Sequence, residues 1–137
     1  AGKYRLALKT PKDQIINIEY TRDKSKKKAA YKKSKAINLK SDIDSIYTST
    51  EKAARWYKAS VSSTKKRKAV TLSKDSVGGG FKFCVYQKGK RLKTVKVTKN
   101  DKVKTVKLPK KKGAYYVKVT KLTSKTTGAY YLGTYTY

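Results

Sequence analysis

Histidine and methionine are absent from this sequence of 137 residues, and proline and cysteine are scarce. The absence of histidine removes the side chain that enzymes most often use as a general base or metal ligand. The single cysteine, Cys84, excludes a disulfide within the chain. Because Cys84 lies within an apolar stretch and has no histidine to activate it, we expect a small buried residue rather than a nucleophile.

Acidic residues are also few. The sequence contains 8 Asp and Glu against 37 Lys and Arg, which gives a formal net charge of +29. A small soluble domain usually carries a net charge of magnitude roughly 2–8. Lysines that only solvate a surface or protect sheet edges against aggregation do not require such an excess. Self-repulsion of this size destabilises the compact state and attracts polyanions, so the sequence predicts an anionic partner.

Long hydrophobic runs are missing as well, and none approaches the roughly 18 residues of a membrane-spanning helix. The sequence begins with Ala1 instead of methionine, as a mature chain does after removal of a signal peptide. A composition rich in lysine, tyrosine and threonine but poor in cysteine is typical of an exported bacterial protein. We therefore expect a secreted, extracellular protein.

Short apolar runs alternate with polar residues, and this period of two is the pattern of half-buried strands. In the clearest example, Phe81, Phe83 and Val85 alternate with Lys82 and Cys84. Turn residues recur about every 8–12 positions, which favours an antiparallel sandwich or barrel over alternating strands and helices. The predicted core consists of Tyr57, Val61, Leu72, Phe83, Val85, Val97, Leu108, Val117, Val119 and Leu132.

Several short motifs resemble one known family. Residues 113–119 (GAYYVKV) and 128–132 (GAYYL) look like its last two strands, while 56–61 (WYKASV) and 83–86 (FCVY) look like earlier ones. From about Glu19 onward the chain resembles the bacterial pre-peptidase C-terminal (PPC) domain. Those domains are small modules appended to secreted proteases and collagenases. The resemblance implies an all-β, antiparallel β-sandwich of jelly-roll type with about eight to nine strands. It also implies an accessory binding role rather than catalysis.

We expect residues 1–137 to form a single β-sandwich domain. Residues 1–23 are predicted to be an N-terminal extension or hairpin, 24–35 a basic loop and 36–137 the PPC-like core. The family's acidic residues before the Trp–Tyr pair are replaced here by Ala53 and Arg55, so the resemblance does not carry a calcium site with it. We predict no cofactor and no metal.

Three other patterns are compatible with catalysis or phosphate binding, and each has a simpler interpretation. Asp42 and Asp44 on a strand would lie on one face, roughly 6.5–7 Å apart, as in a glycosidase, but a solvated loop explains them better. The glycines at 78–80 lack the Lys-Ser/Thr of a phosphate-binding loop, so we interpret them as a flexible connection. Ser62, Ser63 and the lysines after them are typical of a polar hairpin loop. We therefore expect no enzyme.

Lysines oppose the core residues on three consecutive predicted strands, at Lys96, Lys107 and Lys118. Because the cations are spread over many strands and turns, we expect delocalised electrostatic binding. The predicted anion-binding residues are Arg91, Lys93, Lys96, Lys107, Lys110, Lys111, Lys112 and Lys118, with Trp56 and Tyr116 as aromatic contacts.

Three functions fit these observations. The first is a secreted, non-enzymatic module that adheres to anionic cell-wall, capsular or matrix polymers. The second is an antimicrobial or membrane-active cationic protein, in which each lysine near anionic lipid contributes on the order of 1 kcal/mol. No long amphipathic helix is predicted to insert, which weakens this second hypothesis.

The third function is a nucleic-acid-binding protein whose tyrosines stack bases. Lysine far outnumbers arginine, the residue of bidentate base recognition, so the first function is favoured. The charge alone also predicts non-specific binding of nucleic acid.

Overall fold

A computed structural model describes residues 29–39, 46–48 and 54–137 of the chain. Within these ranges it contains a single turn of 3-10 helix, Lys33–Lys35, and otherwise strands and connections. No helix in the described ranges is long and apolar enough to cross a membrane. The strands are β1 (Ile37–Asn38), β2 (Ile46–Thr48), β3 (Arg55–Val61), β4 (Lys68–Gly78), β5 (Phe81–Gln87), β6 (Lys90–Val97), β7 (Val103–Lys107), β8 (Gly113–Lys121) and β9 (Thr127–Thr136).

The strands form two sheets that together make a jelly roll. One sheet has the order β1-β3-β8-β5-β6 and the other β2-β9-β4-β7. Apart from β1, which runs parallel to β3, every pairing is antiparallel. Four of the strand pairs are nested in the sequence: β5–β6 lies within β4–β7, β4–β7 within β3–β8, and β3–β8 within β2–β9. Successive pairs belong alternately to the two sheets. This nesting is the topology of a jelly roll, so the predicted fold class is confirmed.

The core lies between the sheets and consists of the apolar residues that alternate along each strand. All ten residues predicted for it from the sequence are buried. Residues that were not predicted complete it, among them Phe81, Tyr115 and Tyr130. The hydroxyl groups of Tyr57 on β3 and Tyr130 on β9 lie 2.8 Å apart and form a buried hydrogen bond from one sheet to the other. This bond offsets the cost of burying two polar groups between the sheets.

The described part of the predicted basic loop, residues 29–35, packs along the edge of β3. Ala30 is buried, and its carbonyl accepts a 2.8 Å hydrogen bond from the Trp56 backbone N–H. Farther along, the Leu39 N–H donates to the carbonyl of Lys58 at 2.8 Å. This stretch therefore covers backbone groups that would otherwise make β3 an open sheet edge. The predicted N-terminal extension, the lysines before residue 29, Ala53 and the Asp42–Asp44 pair lie outside the described residues.

Glycines 79 and 80 carry the chain from β4 in one sheet to β5 in the other. Gly79 has a positive φ of 74°, and a Cβ there would overlap Thr126. A Cβ at Gly80 would overlap the carbonyl oxygen of Val97. The buried Thr126 hydroxyl donates to the Gly80 carbonyl at 3.0 Å and accepts from its N–H at 3.3 Å. Close packing, rather than the predicted flexibility, explains glycine at these two positions.

The position of Phe83 gives a direct test of the fold. Its ring is fully buried between the sheets, so Phe83→Ala should lower the free energy of unfolding by about 3–5 kcal/mol. Lys96→Ala is the matched control, because Lys96 lies exposed on the neighbouring strand and should change stability by less than about 0.5 kcal/mol. Urea denaturation measures both values. A loss below about 1 kcal/mol for Phe83→Ala would show that the two faces of β5 have been exchanged.

Candidate anion-binding surfaces

The strand order brings three lysine-rich connections to one end of the sandwich. β3, β5 and β7 all finish at this end, so the connections 62–67, 88–89 and 108–112 meet there. The Leu108 N–H donates to the Lys68 carbonyl at 2.8 Å, which ties two of these connections together. We define the basic end as residues 62–68, 88–91 and 108–112. Its cations are Lys65, Lys66, Arg67, Lys68, Lys88, Lys90, Arg91, Lys110, Lys111 and Lys112.

Buried residues fix the backbone that presents these cations. The Tyr115 ring is fully buried, and its hydroxyl donates to the carbonyls of Lys111 at 2.9 Å and Pro109 at 3.3 Å. The two-residue turn Lys88–Gly89 has φ angles of 48° and 79°, as a type I′ hairpin turn requires. The connections 88–89 and 108–112 therefore have defined backbone conformations, while their lysine side chains are exposed.

A surface cleft of about 370 Å³ opens at the basic end. At one side of the cleft, the Lys68 ammonium donates a 2.7 Å hydrogen bond to the Ser60 carbonyl. Lysine ammonium groups and serine hydroxyls are both donors to anionic oxygens, so the lining suits an anion. The cleft is lined by Val61, Ser62, Ser63, Lys65, Lys66, Lys68 and Thr136.

The opposite end of the sandwich is different, because its charges are partly compensated. Asp101, the one carboxylate whose side chain the structure describes, accepts hydrogen bonds from the Thr98 N–H at 2.9 Å and the Thr98 hydroxyl at 2.7 Å. The Lys104 ammonium lies 2.6 Å from its other oxygen. Bonds from Lys104 and Thr98 to the ionised form hold the pKa of Asp101 well below its usual range. The carboxylate thus stays charged and neutralises one neighbouring lysine.

Cations and aromatic rings share the outer face of the five-stranded sheet. The register places Lys58, Tyr116, Tyr86 and Arg91 side by side across β3, β8, β5 and β6. We call these four residues and the neighbouring Trp56 the aromatic row. The rings of Trp56 and Tyr86 are 5.5 Å apart and inclined by 45°. All three rings of the row are half-buried.

Two further lysines sit over rings of the aromatic row. The Lys118 ammonium lies 5.6 Å from the centre of the Trp56 ring, and the Lys33 ammonium lies 4.7 Å from that of Tyr116. These distances are within the range of favourable cation–π contacts. Lys33 comes from the 3-10 turn, so the packed segment beside β3 contributes directly to this surface.

A β-bulge in β6 decides the position of Arg91. Val85 pairs with Lys93 and Tyr86 pairs with Arg91, which leaves Leu92 unpaired. Without this extra residue, strict alternation would place Arg91 on the face of Val95 and Val97, toward the core. The bulge instead turns Arg91 to the outer face beside Tyr86.

The predicted anion-binding residues occupy three places rather than one. Lys96, Lys118 and Arg91 lie on the outer face of the five-stranded sheet, and Lys93 is exposed along its β6 edge. Lys107 lies on the outer face of the other sheet, with its ammonium 5.5 Å from the Tyr137 ring centre. Lys110, Lys111 and Lys112 belong to the basic end. Both predicted aromatic contacts, Trp56 and Tyr116, lie in the aromatic row.

Some residues of these surfaces are identified only by the fold. These are Lys33, Lys58 and Tyr86 on the sheet face, and the basic turn at 65–68 as part of the same end as Lys110. Cys84, predicted to be a small buried residue, is buried. It lies on the outer face between Lys118 and Thr94, with its sulfur 3.4 Å from the Thr94 hydroxyl oxygen.

No protein-family model and no curated protein matches this chain. The likeness to the PPC domain therefore rests on the short motifs of the sequence.

The contact between Arg91 and Tyr86 gives a prediction about pH. Burial, with the nearby Cys84 side chain, raises the pKa of Tyr86 above its usual 10.0, whereas the Arg91 guanidinium lowers it. Arg91→Gln should therefore raise the Tyr86 pKa further, as measured by NMR titration of labelled tyrosine rings assigned with Tyr86→Phe. Lys96→Gln on the same face serves as the control and should leave this pKa unchanged. An unchanged or lower pKa in Arg91→Gln would place Arg91 away from the ring.

Proposed function

We propose that this protein is a secreted, non-enzymatic module that adheres to anionic cell-wall, capsular or matrix polymers, chiefly through its basic end. The observation that carries this proposal is the meeting of three lysine-rich connections at one end of the jelly roll. Among the side chains that the structure describes, no carboxylate lies at that end, because the described one, Asp101, lies at the other.

The physical basis is electrostatic. Clustered exposed cations repel one another and attract a polyanion, and each contact releases condensed counterions from the polymer. Bound polymer also relieves repulsion within the protein, and it should stabilise the folded state because it binds that state preferentially. Neither effect requires a deep pocket or a particular sugar. This mode of binding suits adhesion to a long, repetitive polymer.

The proposed adhesion role agrees with four sequence observations. The composition is typical of an exported bacterial protein, and the resemblance to the PPC domain implies an accessory module. The excess of lysine over arginine favours charge attraction over bidentate reading of bases. The absence of histidine favours a role without catalysis.

An anionic membrane surface is a second candidate partner, and one observation favours it. The rings of Tyr135 and Tyr137 lie 5.6 Å apart, inclined by 39°, and both residues are more than two-fifths exposed. Backbone hydrogen bonds of 2.9 Å in both directions join Tyr137 to Arg67 of the basic end. Aromatic rings beside lysines are typical of surfaces that rest on lipid headgroups.

The dependence of affinity on salt tests the proposal with two matched triple variants. One replaces Lys110, Lys111 and Lys112 at the basic end by Gln. The control replaces Lys99, Lys102 and Lys125, in the connections at the opposite end, by Gln. Each variant lowers the net charge from +29 by three, to +26. Calorimetric titration with teichoic acid at several salt concentrations gives the slope of log affinity against log salt.

We expect the slope to become shallower by about two to three in the basic-end variant, because each neutralised anion contributes roughly 0.7–0.9. The control should change the slope by less than about one. Equal changes would mean that the net charge acts as a whole and would remove the basic end from the proposal. Affinity that does not depend on salt would contradict electrostatic adhesion. Tighter binding to phosphatidylglycerol vesicles than to the polymer would favour the membrane candidate.

A further inference from the structure

We infer that the outer face of the five-stranded sheet is a second binding site, built to hold acidic sugar units of a polysaccharide. This inference rests on the proposed function, because it names the class of polymer. It concerns a surface that shares only Arg91 with the basic end: the aromatic row, with Lys33 and Lys118 above its rings.

The rings give the cations of this face fixed positions. The Lys118 and Lys33 ammonium groups lie 5.6 and 4.7 Å from the centres of the Trp56 and Tyr116 rings. Tyr86 has Arg91 beside it across the β5–β6 pair. A free lysine loses rotamer freedom when it binds, and this loss opposes affinity. Lysines already held by rings lose less, so this face binds anions with less entropic cost than the exposed turns of the basic end.

The spacing of the cations suits a chain with repeated acidic groups. Lys58 and Arg91 lie at opposite ends of the row, separated by three strand spacings of about 4.8 Å, or about 14 Å in total. Trp56 and Lys118, which face each other across β3 and β8, lie one pleat farther along, at about 7 Å. Among the described residues this face carries cations and no carboxylate.

The ring surfaces between the cations distinguish a sugar from other polyanions. Polyphosphate offers no apolar surface that would gain by covering Trp56 and Tyr86. A nucleobase needs a whole ring face for stacking, whereas the ammonium groups over Trp56 and Tyr116 leave only part of those faces for the smaller C–H groups of a sugar. An acidic sugar can pair its carboxylate or sulfate with an ammonium while its C–H groups contact the neighbouring ring. A carboxylated or sulfated polysaccharide therefore fits both parts of the surface.

Trp56, the sole tryptophan of the chain, makes this site observable by fluorescence. The probes are oligogalacturonate, a neutral malto-oligosaccharide, polyphosphate and oligothymidylate. In the unmodified protein we expect oligogalacturonate to change Trp56 emission at saturation and polyphosphate to bind without changing it. The neutral sugar should not bind measurably, because it lacks the anionic group.

Variants that remove a ring without removing a charge then separate this site from general electrostatics. Trp56→Leu and Tyr116→Leu should each weaken oligogalacturonate binding about tenfold or more by calorimetry, with an unchanged salt slope and a much smaller loss of polyphosphate affinity. Trp56→Phe keeps a ring and should restore most of the affinity. Tyr131→Leu, on the outer face of the other sheet, is the matched control and should bind like the unmodified protein. Circular dichroism confirms that each variant is folded.

Each alternative outcome has a distinct meaning. If the ring variants bind oligogalacturonate normally while binding remains salt-dependent, the second site is refuted and the basic end alone accounts for adhesion. If they lose polyphosphate affinity equally, the rings do not select sugars and the inference fails. If oligothymidylate quenches Trp56 and binds more tightly than oligogalacturonate, base stacking replaces sugar binding. Absence of salt-dependent binding to every polyanion would overturn the proposed function itself.

Discussion

The constraint on which this structure depends is positive charge without matching negative charge. The chain carries +29, and between side chains that the structure describes there is one salt bridge, Lys104–Asp101. Strand alternation makes such a chain foldable, because every second residue of a strand points to the core and the lysines point outward. Burial of the core, which includes the Tyr57–Tyr130 hydrogen bond between the sheets, must offset the repulsion between those lysines.

The jelly roll converts charges that are distant in sequence into local concentrations. The connections 62–67 and 108–112 are far apart along the chain, yet the nested pairing brings both to the end where the β5–β6 turn also lies. On the outer face of the five-stranded sheet, by contrast, lysines are held over aromatic rings. The ammonium groups there lie above Trp56 and Tyr116. The protein therefore presents cations of two kinds: exposed lysines on fixed turns, and lysines held over rings.

Properties that are local in the sequence were predictable, and properties of register were not. Alternation around Phe83 and Val117 identified the core, and the short motifs indicated a jelly roll. The same alternation would assign Arg91 to the core-facing side of β6. It does not reveal the bulge at Leu92, which moves Arg91 to the outer face. Tyr86 was overlooked as a contact, since its neighbours Tyr116 and Arg91 come from two other strands. Gly80 shows the same limit, because its need to lack a side chain comes from Val97, which lies across the β5–β6 pair.

The central claim is that binding follows the spatial concentration of cations rather than their number. The most direct measurement is a map of backbone amide shifts by two-dimensional NMR while a short teichoic acid fragment is added at physiological ionic strength. We expect the largest shifts at residues 62–68, 88–91 and 108–112. Connections 98–102 and 122–126, which also carry lysines, should shift much less. Shifts of equal size at both ends of the sandwich would contradict the claim.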